Sequence, residues 1–165
     1  MWSLNTLCSL TSACAHPEDN TASADLTRKL RLLEATDLFA GLDRKQLRLL
    51  AFGARWYSAT AGTYVFRKFD DPSDGAYLIA EGEAGLYLPL ENGNEQLIAK
   101  AEKGNLVGEL GLIRNVPRSL SMKAHTDITA LRISAEAFIS VVQNDAATAF
   151  KLLQVVAGYV VQNAK

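Results

Sequence analysis

The sequence predicts a mainly β domain of jelly-roll type with helices on both flanks, and three observations lead there. Between residues 55 and 133, short alternating apolar runs recur at regular spacing and are cut by turn residues. From Asp25 to about Leu50, and again after Ile133, the apolar residues recur at helical spacing instead. The chain has 165 residues, 48% of them apolar, which is enough for one core and too little for several domains.

Residues 1–24 read as a flexible N-terminal tail, and residues 25–165 as the folded domain. Met1–Ala15 is moderately apolar but interrupted by Asn5 and several Ser and Thr. Its Ala13-Cys14-Ala15 superficially resembles a signal-peptidase site, yet the first basic residue is Arg28 and no clean apolar stretch precedes it. A cytoplasmic location is therefore expected. His16–Ala24 has the composition of a linker.

Leu26, Leu30 and Leu33 then mark a helix, with Arg28, Lys29 and Arg31 between them. Asp43, with Gln46 three residues on, forms a capping-box pattern ahead of Leu47, Leu49 and Leu50. Leu38–Leu42 is an apolar corner between the two helices. The six basic residues of this region read as solvated helix faces or as a face for an anionic partner.

The β region contains the runs Tyr64–Phe66, Ala76–Ile79, Gly85–Leu88, Gln96–Ile98, Met122–Ala124 and Ala130–Ile133. Asn92-Gly93 between two runs predicts a tight hairpin with both central residues at positive φ. Gly82 predicts a second turn. Many short strands with frequent turns indicate a sandwich or small barrel. After them, Ser134 caps a helix to about Gln143 and Asp145 caps a longer one to about Gln162. The last helix carries Phe150, Leu152, Leu153, Val155, Val156, Tyr159, Val160 and Val161, so it needs two apolar neighbours. One is the β domain; the other is a second copy or another protein.

Several function classes fall away on composition. Lys+Arg of 17 against Asp+Glu of 18 gives no bulk attraction to nucleic acid or anionic membrane. No run of 18 apolar residues exists to span a bilayer. Cys8 and Cys14 read as free thiols, and His16 and His125 have no metal-ligand spacing, so neither metal nor cofactor is expected. No kinase glycine loop or Walker motif is present, and His125 has no motif-placed nucleophile. The expected protein is not an enzyme; a cupin-like enzyme would need clustered His and carboxylate ligands that the β region lacks.

The stretch Gly104–Ala124 lies within the β region but does not alternate. Val107-Gly108-Glu109-Leu110-Gly111-Leu112-Ile113 reads as one short helical turn entered through glycine, and Pro117-Arg118-Ser119 leads to the next strand. The first N–H groups of a helical turn are unpaired and attract anions. Arg118 adds a forked cation suited to phosphate, and Glu109 an acceptor suited to a ribose hydroxyl. Together they would describe a nucleotide site; separately, Glu109 and Arg118 read as a loop salt bridge.

This stretch resembles the phosphate-binding cassette of the cyclic-nucleotide-binding domain family, found in catabolite-activator regulators, kinase regulatory subunits and gated channels. The matching residues are Leu106, Val107-Gly108-Glu109-Leu110-Gly111-Leu112 and Pro117-Arg118-Ser119-Leu120-Ser121, with the Glu-to-Arg spacing of the kinase subunits. Leu38–Leu42 resembles the family's helical lead-in, and Tyr77–Ile79 with Gly82-Glu83-Ala84 its β-roll. The resemblance covers about residues 35–162 and implies a double-stranded β-helix followed by hinge and lid helices.

It further implies that Arg118 pairs with a cyclic phosphate and Glu109 accepts the ribose 2′-hydroxyl. By the same resemblance, backbone N–H groups around Gly111 reach phosphate oxygens, Gly108 leaves room for the sugar, and Ser119 bonds the phosphate. Val107 and Leu110 complete the cassette. Ser119, where Thr accompanies cyclic GMP preference, implies cyclic AMP over cyclic GMP. Three departures stand out: Leu120 for a small residue, Leu106 for Phe, and Asp70-Asp71 where a glycine is common. The base-capping residue is expected on the last helix, with Gln154 and Tyr159 as candidates.

The expected function is a cyclic-nucleotide sensor that signals by movement of its C-terminal helix. Its partner would be a dimer mate or an effector such as a transporter, channel or enzyme. No direct DNA binding is expected, since the chain ends without a helix-turn-helix, and no membrane insertion. The alternative is an interaction domain that keeps the fold without the ligand.

Overall fold

The computed structural model describes residues 17–154 apart from positions 37, 40, 72–74 and 152. Two helices come first, α1 (Pro17–Glu34) and α2 (Arg44–Phe52). Strands β1 (Ala54–Ala59), β2 (Tyr64–Phe66), β3 (Ala76–Glu81) and β4 (Ala84–Pro89) follow. Then come β5 (Glu95–Ala101), β6 (Leu106–Val107) and the short helix α3 (Glu109–Arg114). Strands β7 (Ser121–Ala124) and β8 (Ile128–Ile133) lead into helix α4 (Ala135–Asn144).

The strands form two four-stranded antiparallel sheets, ordered β1-β8-β3-β6 and β2-β7-β4-β5. All six predicted runs fall inside strands, so the expected β-roll with flanking helices is the architecture found. Alternation along β3 and β8 explains how one sheet serves two cores. Leu78, Leu131 and Ile133 face the helices, packing with Leu33, Phe39, Leu50 and Phe138. Tyr77, Ile79, Ile128 and Ala130 face the second sheet and meet Phe66, Met122 and Ala84. A strand buried on both sides needs an unbroken apolar run, and Ala76-Tyr77-Leu78-Ile79-Ala80 supplies one.

Helix α2 begins as its sequence requires. Asp43 Oδ1 accepts from Gln46 N at 2.7 Å, and the Gln46 side chain accepts from Asp43 N at 3.0 Å. Ser134 caps α4 by accepting from Ala137 N at 3.2 Å. Asp145 Oδ2 accepts from Thr148 N at 2.7 Å, starting the helical segment 146–151.

Two expectations are corrected. Residues 17–24, which have linker composition, belong to α1. Pro17 suits a first helical position. Residues 21–24 are exposed, so their polarity reflects a solvated first turn and not a linker. The remainder of the expected tail, with both cysteines and His16, lies outside the described residues, as do positions 155–165 with Tyr159 and the end of the last helix. The second correction concerns the β4–β5 hairpin. Only Gly93 takes positive φ (82°), while Gly93 N donates to Leu90 O at 3.1 Å and Leu90 N to Asn94 O at 2.8 Å. Asn92 instead uses its side-chain oxygen to accept from Asn94 N. The loop is one residue longer than the two-residue turn expected, so Asn92 need not enter the left-handed region.

Two of the three basic residues of α1 are engaged within the fold. Arg28 lies 4.3 Å over the Trp56 ring and pairs with Glu81 at 3.3 Å. Lys29 pairs with Asp25 at 2.9 Å and donates to Ala54 O at 3.0 Å, while Trp56 Nε1 donates to Asp25 at 2.5 Å. These contacts fasten α1 to β1.

Candidate functional site

Strand β6 is two residues long and pairs with β3, setting Leu106 opposite Leu78 and Val107 opposite Tyr77. The chain then leaves the sheet at Gly108, whose φ of 92° is left-handed, and enters α3 at Glu109. A side chain at Gly108 would be strained by that φ, and its Cβ would collide with Arg118 Nη1. The space expected to admit a sugar is thus bounded by the guanidinium itself.

Arg118 is only 3% exposed. Its Nη1 donates to Gly108 O at 2.7 Å and its Nη2 to Gly75 O at 2.5 Å, with the guanidinium carbon 4.5 Å from the Phe66 ring centre. The fork thereby ties the turn before α3 to the residue that opens β3. Its main chain is held as well: Arg118 N donates to Asp70 O at 2.9 Å, and Phe69 N donates to Arg118 O at 2.8 Å.

Glu109 occupies the first position of α3 and is 5% exposed. Burial pushes its carboxyl up to about 7, against the opposing pull of its own backbone N–H and of the Arg118 charge. The carboxyl is thus poised between its two forms at neutral pH, and either form hydrogen-bonds a hydroxyl. Val107 and Gly111 are buried, Leu110 half-buried, and Ser119 exposed at the bend after Arg118. The fold therefore brings Gly108, Glu109 and Arg118 together, with Ser119 at the rim. Leu120 is half-buried beside it.

Two contributors were not singled out in the sequence. Phe66 provides the ring under the guanidinium, and Gly75 the second carbonyl; the alternating run around Phe66 signalled only a strand. Phe66 and Leu86 both pair with Met122, and Leu86 also with Ala99, so these residues line one face of the second sheet. On that face Phe66 and Met122 are packed into the core between the sheets, with Leu86 half-buried and Ala99 exposed. A buried fixed cation beside a carboxyl near its titration point is suited to an anion joined to a hydroxyl.

His125 is apart from this site. Its Nδ1 lies 3.0 Å from Glu83 Oε1 and its Nε2 2.7 Å from the Tyr87 hydroxyl, and Glu83 also pairs with Lys100 at 2.9 Å. Tyr87 follows Leu86 on β4 and so faces the opposite side of the sheet. Among the described residues no three His, Cys, Asp or Glu cluster as metal ligands, and no helix is long and apolar enough to cross a membrane. Gln154 is exposed.

Comparison with known proteins places the chain among its relatives. An uncharacterized ABC transporter ATP-binding protein of Mycobacterium bovis is 35% identical over 78 residues, 47% of this chain and 23% of that protein. A cAMP-dependent protein kinase regulatory subunit of Aspergillus niger is 34% identical over 106 residues, 64% of this chain and 25% of that one. The chain thus spans about a quarter of the length of these relatives. The regulatory domain of Toxoplasma gondii PKA, solved with cAMP, shares the fold with a TM-score of 0.66 and 24% identity, covering 75% of this chain and 47% of that one. Residues 57–145 match the model of the cyclic nucleotide-binding domain, more than half of the sequence and the whole of the site. The chain belongs to the cyclic nucleotide-binding domain family.

Proposed function

We propose that this chain is a sensor that prefers cyclic AMP and passes its occupancy to a partner through the helical segment after Asp145. The observation that carries the reading is the convergence of Gly108, Glu109 and Arg118 at the first turn of α3. On this reading the cyclic phosphate takes the guanidinium fork, and the N–H groups around Gly111 meet its oxygens. Glu109 accepts the ribose 2′-hydroxyl, and Ser119 bonds the phosphate from the rim. Leu86 and Ala99 bound the base. The names of the kinase-subunit relative and of the structure solved with cAMP support the choice of ligand.

Switching follows from differential affinity. The guanidinium that exchanges carbonyls for phosphate also sits on a backbone bonded to Phe69 and Asp70, so its displacement is felt along the β2–β3 connection. Phe150 and Leu153 are 60% and 63% exposed on the segment after Asp145 and form the expected output surface. The transporter and kinase relatives illustrate the class of effector, to which this domain would be fused or docked.

Calorimetric titration with cyclic AMP and cyclic GMP, alongside Arg118→Ala, tests the reading. Micromolar or tighter binding of cyclic AMP, weaker binding of cyclic GMP and loss of both in the variant are the expected results. Absence of heat with either nucleotide, in protein shown by its melting transition to be folded, refutes it. That outcome would select an interaction domain without ligand, a reading favoured by the half-buried Leu120 and by the near-complete burial of Glu109 and Arg118.

A further inference from the structure

The turn after β2 departs from what its sequence neighbours would prefer. Where a glycine would be at ease, this chain places Phe69 in the left-handed region, with φ of 75°, and leaves its side chain 76% exposed. That conformation costs a non-glycine residue on the order of 1–2 kcal/mol, and for a bulky aromatic it is rare. The turn is imposed by its surroundings. Asp70 Oδ2 accepts from Arg67 N at 2.7 Å, Ser121 Oγ from Lys68 N at 3.0 Å, and Arg118 O from Phe69 N at 2.8 Å. A glycine would satisfy the same hydrogen bonds without strain, so within the fold the ring adds only its contact with Lys68. Strain retained with an exposed ring signals a contact outside the chain.

The ring borders an open groove of about 610 Å³ between this turn and the β4–β5 hairpin. Its apolar lining comes from Phe69, Pro89 and Leu90, the last 39% exposed. Its cations are Arg67 and Lys68, placed 3.7 Å over the Tyr64 ring and 5.0 Å over the Phe69 ring. Among the described lining residues Glu95 is the single acid, and the Tyr64 hydroxyl donates to it at 2.6 Å. The groove therefore offers cations stacked on aromatic rings beside an apolar floor. Two cations against one acid are too few to hold the successive phosphates of a nucleic acid. They match a carboxylate or two next to a large apolar side chain.

We infer that this groove docks an acidic peptide segment of a partner protein, with Phe69 as its aromatic anchor and Arg67 and Lys68 as its carboxylate contacts. The inference does not depend on the nucleotide reading, because no ligand enters the argument. Panning the full chain against a phage library of random dodecapeptides, without nucleotide, tests it. Enriched peptides are expected to pair Asp or Glu with Trp, Phe or Leu. Their affinity, read by fluorescence anisotropy, is expected to fall roughly tenfold or more in Phe69→Gly and in Lys68→Glu. Phe69→Gly relieves the left-handed strain, so its melting temperature should not fall, which separates lost docking from lost folding. Failure to enrich acidic peptides, or enriched peptides that bind Phe69→Gly as well as the parent, overturns the inference. So does retention of a single-stranded oligonucleotide at this groove in place of any peptide.

Discussion

Glu109 should make this domain less stable as the pH rises, and replacing it with glutamine should remove that dependence. Its carboxyl is raised from 4.5 to about 7 in the folded protein, chiefly by burial. In the unfolded chain it ionises at the ordinary value, so between the two the folded state holds a proton that the unfolded state has released. The folded state then loses stability with increasing pH: the contribution is whole below about 4.5, declines through the interval, and is gone above about 7. A shift of this size corresponds to about 3 kcal/mol. A glutamine side chain would keep the shape and the hydrogen-bonding capacity with no charge to bury. The stability of Glu109→Gln relative to the parent should therefore increase by most of that amount between about pH 5 and pH 8. For a domain of this length it is a melting-temperature gap widening by roughly 6–12 °C. Thermal unfolding of both proteins at the two pH values reads the gap directly, since all other titrating groups are common to both. A gap of equal size at the two pH values would refute the reasoning and place Glu109 in contact with water or a compensating charge.

Two further outcomes are expected. Gly108→Ala must place a Cβ at a φ of 92° against Arg118 Nη1, so it should lose on the order of 2–4 kcal/mol in urea unfolding. It should weaken cyclic nucleotide binding in parallel. Asp43→Ala removes one half of the α2 capping box and should cost about 1 kcal/mol, a melting-temperature fall of roughly 2–4 °C. Because α2 packs on the far side of the first sheet from Arg118, nucleotide affinity in this variant should be unchanged.

The elements that rest on local chemistry were legible in the sequence. Asp43 and Gln46 lie three residues apart and cap each other, Ser134 caps α4, and the alternating runs became strands because side-chain alternation alone decides which face is buried. The cassette was legible for the same reason, since Gly108, Glu109 and Arg118 stand at family spacing. Strand β6 was not marked out, because two residues carry no period. The first turns of α1 were missed because exposed polar residues look alike in a helix and in a linker. Nor does any spacing announce that Gly75, forty-three residues before Arg118, supplies it with a carbonyl. The conformation of Phe69 was hidden too: Asp70-Asp71 in place of a glycine showed that the turn was unusual, but the burden fell on the residue before them.

The seclusion of Arg118 has a thermodynamic consequence for whatever anion the domain accepts. Removing a guanidinium from water is costly by several kcal/mol, and here folding has already done so by giving it the carbonyls of Gly108 and Gly75. An arriving anion then meets a cation with no hydration shell left to strip, and exchanges two carbonyl dipoles for a full opposite charge. Dissolved counter-ions screen such a buried pair much less than one at the surface. A domain that bound an anion at this position would respond to it with little sensitivity to the surrounding salt.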